Sequence, residues 1–397
     1  MASAVGDLAA ELGPYYTPER QQLQEVARQF AMKEVLPIAN ELDPVAAKIP
    51  IELRHKMGQL GFFGLRVPKA YGGLELGFFE YCLVTEELSR AWMSVASIIA
   101  RAGPLPHQLG PERLRELYPR MLAGDYLGAV ALSEPDAGSD LGSITCRAHR
   151  DGNSWVINGQ KMWCTNADDA AFITVLARTE PLDPAHRHRG IGQLFIEKEP
   201  GTFPPGMMGT ALRTIGYHGW RTFELSFDDF RVPTSALLQA TGGFERTAAS
   251  LSGARVHTAA RAIGLARGAL EDSIRYAAER VQFGRPIAHF QAIRFKIAWM
   301  ATEVEAARRL TYYVANEIDQ GRGQLREKEA SMAKLFASEM AERVTSEALQ
   351  VHGGYGYTTD FPVERYWRDA RLTKIFEGTS EIQQRLISDR ILGPYRD

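Results

Sequence analysis

The spacing of apolar residues changes twice along this chain, and that change limits the fold more than any single residue does. From about Pro18 to Leu122 apolar positions recur every three or four residues, as in Leu23, Val26, Ala27, Phe30 and Val35, with breaks at Pro37, Pro50, Gly72-Gly73 and Pro104. Between Asp125 and roughly Thr241 the spacing shortens to alternation. Trp155 through Ile157, Phe172 through Leu176, Gly192 through Ile196 and Thr222 through Phe227 are separated there by Gly, Asp, Asn and Pro. Helical spacing returns from about Gly243, and the absence of proline between Pro286 and Pro362 leaves room for two or three long helices. An alternating segment cannot keep one face buried at a helical period, so the three textures predict three units. These are a helical domain over 1–125, a β domain over 126–241 and a helical bundle over 242–397: mainly α with a middle β domain. Ala298, Val304, Ala307, Leu310 and Val314 form one apolar stripe, and Ala333, Phe336, Met340, Val344, Ala348 and Val351 another. Both are assigned to the core of the bundle.

A chain of 397 residues, 45% of them hydrophobic, can bury the core that two or three domains need. The net charge of −2 implies no general attraction to nucleic acid or to an anionic membrane, and no apolar run reaches transmembrane length. A small ligand is expected. Cys82, Cys146 and Cys164 are odd in number and lack ligand spacing, which argues against a disulfide framework and against a structural metal. The first sixteen residues contain no Lys or Arg, unlike a secretory or transit segment. A cytoplasmic location is expected, with a processed mitochondrial form as the alternative.

Five segments can carry chemistry, and each has a plain structural reading beside the functional one. Leu132-Ser133-Glu134-Pro135-Asp136-Ala137-Gly138-Ser139-Asp140 is either a tight turn or a loop offering N–H and hydroxyl groups to a ligand. In Asn158-Gly159-Gln160-Lys161-Met162-Trp163-Cys164-Thr165-Asn166 the Asn-Gly pair signals a hairpin. The strand after it sets Trp163 and Thr165 on one face, either to cover a flat ring or simply to pack. Arg280 through Ile287, followed by Gln291, is a helix stop or a grip for a pyrophosphate. Gln350-Val351-His352-Gly353-Gly354 ends another helix, and His352 reads as a structural histidine. Outside these five, the charged loop from Asp183 to Arg189 reads as a solvated turn or as a contact for an anionic ligand. Last comes Phe376-Glu377-Gly378-Thr379-Ser380. A carboxylate removes a weakly acidic carbon-bound proton only where apolar surroundings raise its proton affinity and small neighbours admit the substrate. Glu377 is therefore either a base or a surface residue ahead of a helix cap at Thr379 or Ser380.

Taken together and in this order, these segments resemble the acyl-CoA dehydrogenase family, over the span from about Tyr16 to Leu392. The resemblance implies an α-helical amino-terminal domain, a β-barrel-like middle domain and a carboxyl-terminal four-helix bundle, with FAD between the last two. It implies that Val130, Leu132, Ser133 and Ser139 line the flavin together with Trp163, Cys164 and Thr165, the last near flavin N5. Arg280, Phe283, Gln291, Gln350, Val351, Gly353 and Gly354 would reach the FAD of a neighbouring subunit in a homotetramer, a dimer of dimers. Thr379, Ser380 and Glu381 would hold the phosphate and adenosine side. Ser139, Ser252, Arg255 and Gly378 would meet the thioester substrate, and Glu377 would be the catalytic base. The implied reaction removes an α-proton and a β-hydride from an acyl thioester, with electron-transfer flavoprotein as acceptor.

Some residues depart from the family pattern. Ser252 stands where many members carry an aspartate that helps bind CoA, so weaker CoA affinity or an acyl carrier protein as carrier is expected. Ala254 occupies the position from which some branched-chain and long-chain members supply their base, leaving Glu377 without a rival. Asp168-Asp169 replaces residues that are often glycine. The competing readings are an acyl-CoA oxidase on the same fold and a non-catalytic helical scaffold subunit.

Overall fold

In the computed structural model the described residues are 15–239, 242–322 and 327–393. Thr17 caps α1 (Pro18–Phe30), its hydroxyl accepting from the Arg20 N–H, and Pro18 fills the first position, where its missing N–H costs nothing. Pro37 was expected to end this helix. Instead a π-helical turn at Ala31–Val35 runs straight into α2 (Leu36–Leu42). The wider turn lets the ring of Pro37 clear the carbonyls ahead of it. Next come α3 (Ile51–Gln59), α4 (Phe78–Ala91), α5 (Met93–Ile98) and α6 (Gly110–Ala123).

The middle unit is one curved sheet of β1 (Gly128–Ala131), β2 (Arg147–Asp151), β3 (Ser154–Thr165), β4 (Phe172–Arg178), β5 (Ile191–Glu197), β6 (Met207–Leu212), β7 (Thr222–Pro233) and β8 (Leu237–Gln239). The strand order is β6-β7-β3-β2-β4-β5-β8, with β1 parallel to β4. The hairpin expected at Asn158-Gly159 is not there: β3 runs through both residues, and the turn lies earlier, between Asp151 and Ser154, where Gly152 has φ 58°. Gly159 instead marks a bulge against β7, and a Cβ on it would stand 2.7 Å from Cys146 Cα. Close approach of a neighbouring strand, rather than chain reversal, explains that glycine.

The last third consists of α7 (Gly243–Glu279), a short hairpin of β9 (Val281–Gln282) and β10 (Arg285–Pro286), α8 (Gln291–Glu317), α9 (Glu327–His352), α10 (Val363–Thr373) and α11 (Ser380–Leu392). The proline-free span thus holds two long helices. Small residues let α7 and α9 pack closely: Ala259, Ala262, Ala266, Ala333, Ala337 and Ala341 are all buried in one cluster. From the two predicted stripes, Ala298 and Phe336 fall outside the core, because both helices turn those positions to the surface. Helix α4 is buried along almost its whole length, with Phe79, Cys82 and Leu83 in the same core as Val256, Ile263 and Met340. Its approach to α7 needs Gly264, where a Cβ would meet the Glu86 carbonyl oxygen at 2.4 Å. All three cysteines are free and buried. Among the described residues no helix is long and apolar enough to cross a membrane.

Candidate active site

The turn between α10 and α11 holds Glu377. Glu377 at φ 55° and Gly378 at φ 91° place two successive residues in the left-handed region, which reverses the chain within a few residues. Such a conformation costs a non-glycine residue roughly 1–3 kcal/mol and persists only where the surroundings enforce it. Lys334 Nζ of α9 and Gln383 Nε2 of α11 both donate to the Gly378 carbonyl, at 2.8 and 2.9 Å. Thr379 caps α11 by accepting from the Ile382 N–H at 3.3 Å, and the Ser380 hydroxyl donates to Glu339 at 2.7 Å. The cap expected at this turn is therefore present, and it anchors a half-buried Glu377 instead of leaving it on open surface.

Two cations act on that carboxylate. Burial pulls the Lys334 ammonium down to about 8, against the attraction of Glu377. Burial likewise lowers Arg255, opposed by Glu327 and Glu377. Arg255 sits on α7 with its Nε unpartnered, and its Nη1 stands 3.5 Å from the Ser252 hydroxyl and 3.7 Å from Glu327. Six residues further along α7, Arg261 donates to the hydroxyls of Ser97 at 3.0 Å and Thr258 at 2.8 Å and lies 4.4 Å over the ring of Phe376. The other contact of that ring is Tyr217, edge-on at 6.2 Å. Sequence reading did not find Lys334 or Arg261. The available signal was a basic residue inside an alanine-rich helical face, where a charge has no reason to be unless it holds something.

On the sheet side, the Leu132–Ser133 loop is tied to β3 by a buried ion pair. Lys161 Nζ donates to Glu134 at 2.8 Å and to the Leu132 carbonyl at 2.9 Å, and Glu134 also accepts from the Thr145 and Cys146 N–H groups. These bonds, with Lys161 contributing after the cost of burial, keep the Glu134 carboxyl below the ordinary value. A register shift between Lys161 and Cys164 swings Trp163 to φ 63° and leaves its indole 59% exposed. Thr165 is half-buried, its hydroxyl 3.1 Å from that of Thr222. Cys164 points into the sheet core, so it meets a cofactor only through its main chain. Ser139 is exposed.

Domain models of the acyl-CoA dehydrogenase family match residues 17–125 (N-terminal domain), 129–230 (middle domain) and 241–392 (C-terminal domain). The chain belongs to the acyl-CoA dehydrogenase family. An acyl-CoA dehydrogenase of Bacillus subtilis is 40% identical over 385 residues, which cover 96% of this chain and 99% of that one. A (2S)-methylsuccinyl-CoA dehydrogenase of Cereibacter sphaeroides is 38% identical over 94% of this chain and 70% of its own. The solved butyryl-CoA dehydrogenase of Megasphaera elsdenii superposes with a TM-score of 0.87 at 34% identity, covering 95% of this chain and 98% of that one. Like other acyl-CoA dehydrogenases, this chain is an oxidoreductase with FAD as its cofactor.

The residues present fit that cofactor. Trp163 and Val130 leave two large apolar side chains in the open, 59% and 45% exposed, and the Thr165 hydroxyl lies on the same strand as Trp163. A flat ring seated on them would bury apolar surface and meet a hydroxyl. A second group of expected contacts lies elsewhere. Arg280, Val351, Gly353 and Gly354 line an open cavity of ≈ 580 Å³ with Gln282, Tyr355 and Thr358. Arg255 and Arg280 are separated by most of α7, a rise on the order of 35–40 Å. Phe283 (94% exposed), Gln291 and Gln350 are at the surface near this end. His352 also lines this cavity, stacked on Tyr276 at 4.3 Å with Nδ1 2.8 Å from the Ala348 carbonyl. The 183–189 loop is exposed. Asp168-Asp169, unexplained by sequence, meets Lys48 Nζ at 2.6 and 2.7 Å, which ties the segment after Thr165 to the N-terminal helices.

Proposed function

We propose that this acyl-CoA dehydrogenase removes the α-proton of an acyl thioester with Glu377 while the β-hydrogen leaves as hydride. The observation that carries this reading is the left-handed turn at Glu377, clamped through the Gly378 carbonyl by Lys334 and Gln383 and set beside two cations. A solvated cap residue has no need of such support. FAD, when bound, supplies the hydride acceptor. Trp163, Val130 and the Leu132–Ser133 loop would hold its ring, and Thr165 would donate to it. General-base action contributes only about 10²–10⁴-fold, so orientation of the Cα–H bond toward Glu377 and polarisation of the thioester carbonyl must lower the rest of the barrier. The family assigns that polarisation in part to the Glu377 N–H.

Arg255 and Gly378 would meet the thioester. Ser252 offers only a neutral hydroxyl there, which suits CoA held loosely or an acyl carrier protein. The separation along α7 supports a cofactor site shared between subunits, because one FAD beside Glu377 does not reach Arg280, Phe283 and Gln350 through Gly354 of the same chain. The exposed Phe283, Phe295 and Trp299 suit a homotetramer in which that surface is covered. Electron-transfer flavoprotein is the proposed acceptor. Relatives named for butyryl and methylsuccinyl thioesters leave the acyl group open. Glu377→Gln should bind acyl-CoA yet lose anaerobic bleaching of the flavin by about 10³-fold or more; bleaching at the wild-type rate would refute the assignment.

A further inference from the structure

Three guanidinium groups converge where α4, α5 and α7 meet, and among the described residues none of them pairs with a carboxylate. Arg261 is 3% exposed and bonds only to the neutral hydroxyls of Ser97 and Thr258, with its Nε unpartnered. Arg101 follows α5 and also buries an unpartnered Nε. Arg66 lies 3.7 Å over the ring of Phe78 and 5.8 Å from the ring centre of Tyr81. All three act on the same two groups, the Tyr81 hydroxyl and the His257 imidazole, whose rings stand 4.8 Å apart. Neither group supplies a negative charge. Burial, reinforced by the three arginines, pushes His257 well below its usual value, and burial raises the Tyr81 hydroxyl. The acid that acts on Arg66, Asp319, is already engaged with the N–H groups of Phe78 and Phe79 at 2.7 and 2.9 Å.

The position of this cluster gives it a use. Arg261 covers Phe376, the residue before Glu377, and acts together with Arg101, which follows α5, and Arg66, which lies over the α4 rings, on Tyr81 and His257. An acyl chain with its α-carbon at Glu377 that runs past Arg261 ends among these groups. An alkyl end there would strip water from three cations and return nothing. A carboxylate would accept charge-assisted, partly bidentate hydrogen bonds from them. Resting on the reading of Glu377 as the base, we propose that the acyl group ends in a carboxylate: the substrate is the monothioester of a dicarboxylic acid. Arg101 and Arg261 select it, flanked by Arg66.

The test uses the flavin-loaded full chain with two thioesters of one carrier and equal carbon count, hexanoyl-CoA and adipoyl-CoA. Binding is read by calorimetry and anaerobic flavin reduction by absorbance. The wild type should favour adipoyl-CoA by about 100-fold or more, as a site built to bind a polar group rejects the analogue lacking it. In Arg101→Gln and Arg261→Gln that ratio should fall toward one, with flavin content reporting that each variant has folded. Equal or better use of hexanoyl-CoA by the wild type overturns the proposal without any variant, and so does a ratio unchanged in both variants. Bleaching by hexanoyl-CoA alone sinks this inference and keeps the dehydrogenation reading. If no acyl-CoA of any length or terminal charge bleaches the flavin, both fall.

Discussion

Helices α4 and α7 meet along a seam that carries arginine at both ends, and the two ends treat the charge differently. Toward the α8 side, Arg267 pairs with Glu86 at 2.8 Å and with Glu87, and Arg308 pairs with Glu86 at 3.1 Å. Gln24 and Arg28 complete the shell of Glu87, and the Tyr312 hydroxyl that of Glu86. Toward Glu377, Arg66 meets rings, Arg261 meets a ring and two hydroxyls, and Arg101 buries an unpartnered Nε. Burying a charge costs several kcal/mol unless a partner compensates it. The paired end is compensated within the chain and holds the amino-terminal helices to the bundle. The unpaired end is compensated only by something that binds.

Substitution on the one helix separates the two ends most sharply. Arg267→Ala removes the one cation that two buried carboxylates share and should cost about 3–5 kcal/mol in urea unfolding. Arg261→Gln takes a cation from no carboxylate and should leave stability unchanged or raised; equal losses in the two variants would erase the distinction. Next in size is the acid response of the paired end. Burial works against the charge of Glu87, but Arg267 and Arg28 outweigh it and hold this carboxyl at about 2, below the ordinary 4.5. A lowered folded-state value means that the stabilisation is complete above about pH 4.5 and is lost as pH falls through 2. The total is roughly 3 kcal/mol. Unfolding measured from pH 5 down to 2.5 should show that slope, and Glu87→Gln should flatten it. Smallest is a pair that is matched but wet. Asp169 is more than a third exposed, as is Lys48, so Asp169→Ala, which leaves the Lys48–Asp168 pair in place, should cost about 0.5 kcal/mol or less. A larger loss would mean that pairing, rather than burial, sets the scale.

Much of this was legible in one dimension. Apolar spacing separated helical from β texture, and the ordered motifs singled out Glu377, Thr165 and Trp163. Local signals failed where a residue serves two structural grammars. Asn158-Gly159 reads as a turn, yet Gly159 is there because Cys146 passes too close for a side chain. Pro37 reads as a helix end, yet a π-turn absorbs it. Ala298 and Phe336 fit a stripe but face outward, since a stripe records period and not which neighbour arrives.

The sequence by itself determined the order of elements and the family, and it singled out Glu377 as the candidate base, because period, turn chemistry and motif order are properties of neighbouring residues. Only the tertiary structure decided which charges are paired. Arg261 and Arg267 stand six residues apart on one helix and look alike in sequence. One meets carboxylates carried by α4 and the other meets Phe376 and two hydroxyls, and the energy of a buried charge is set by what lies within a few ångströms of it in space.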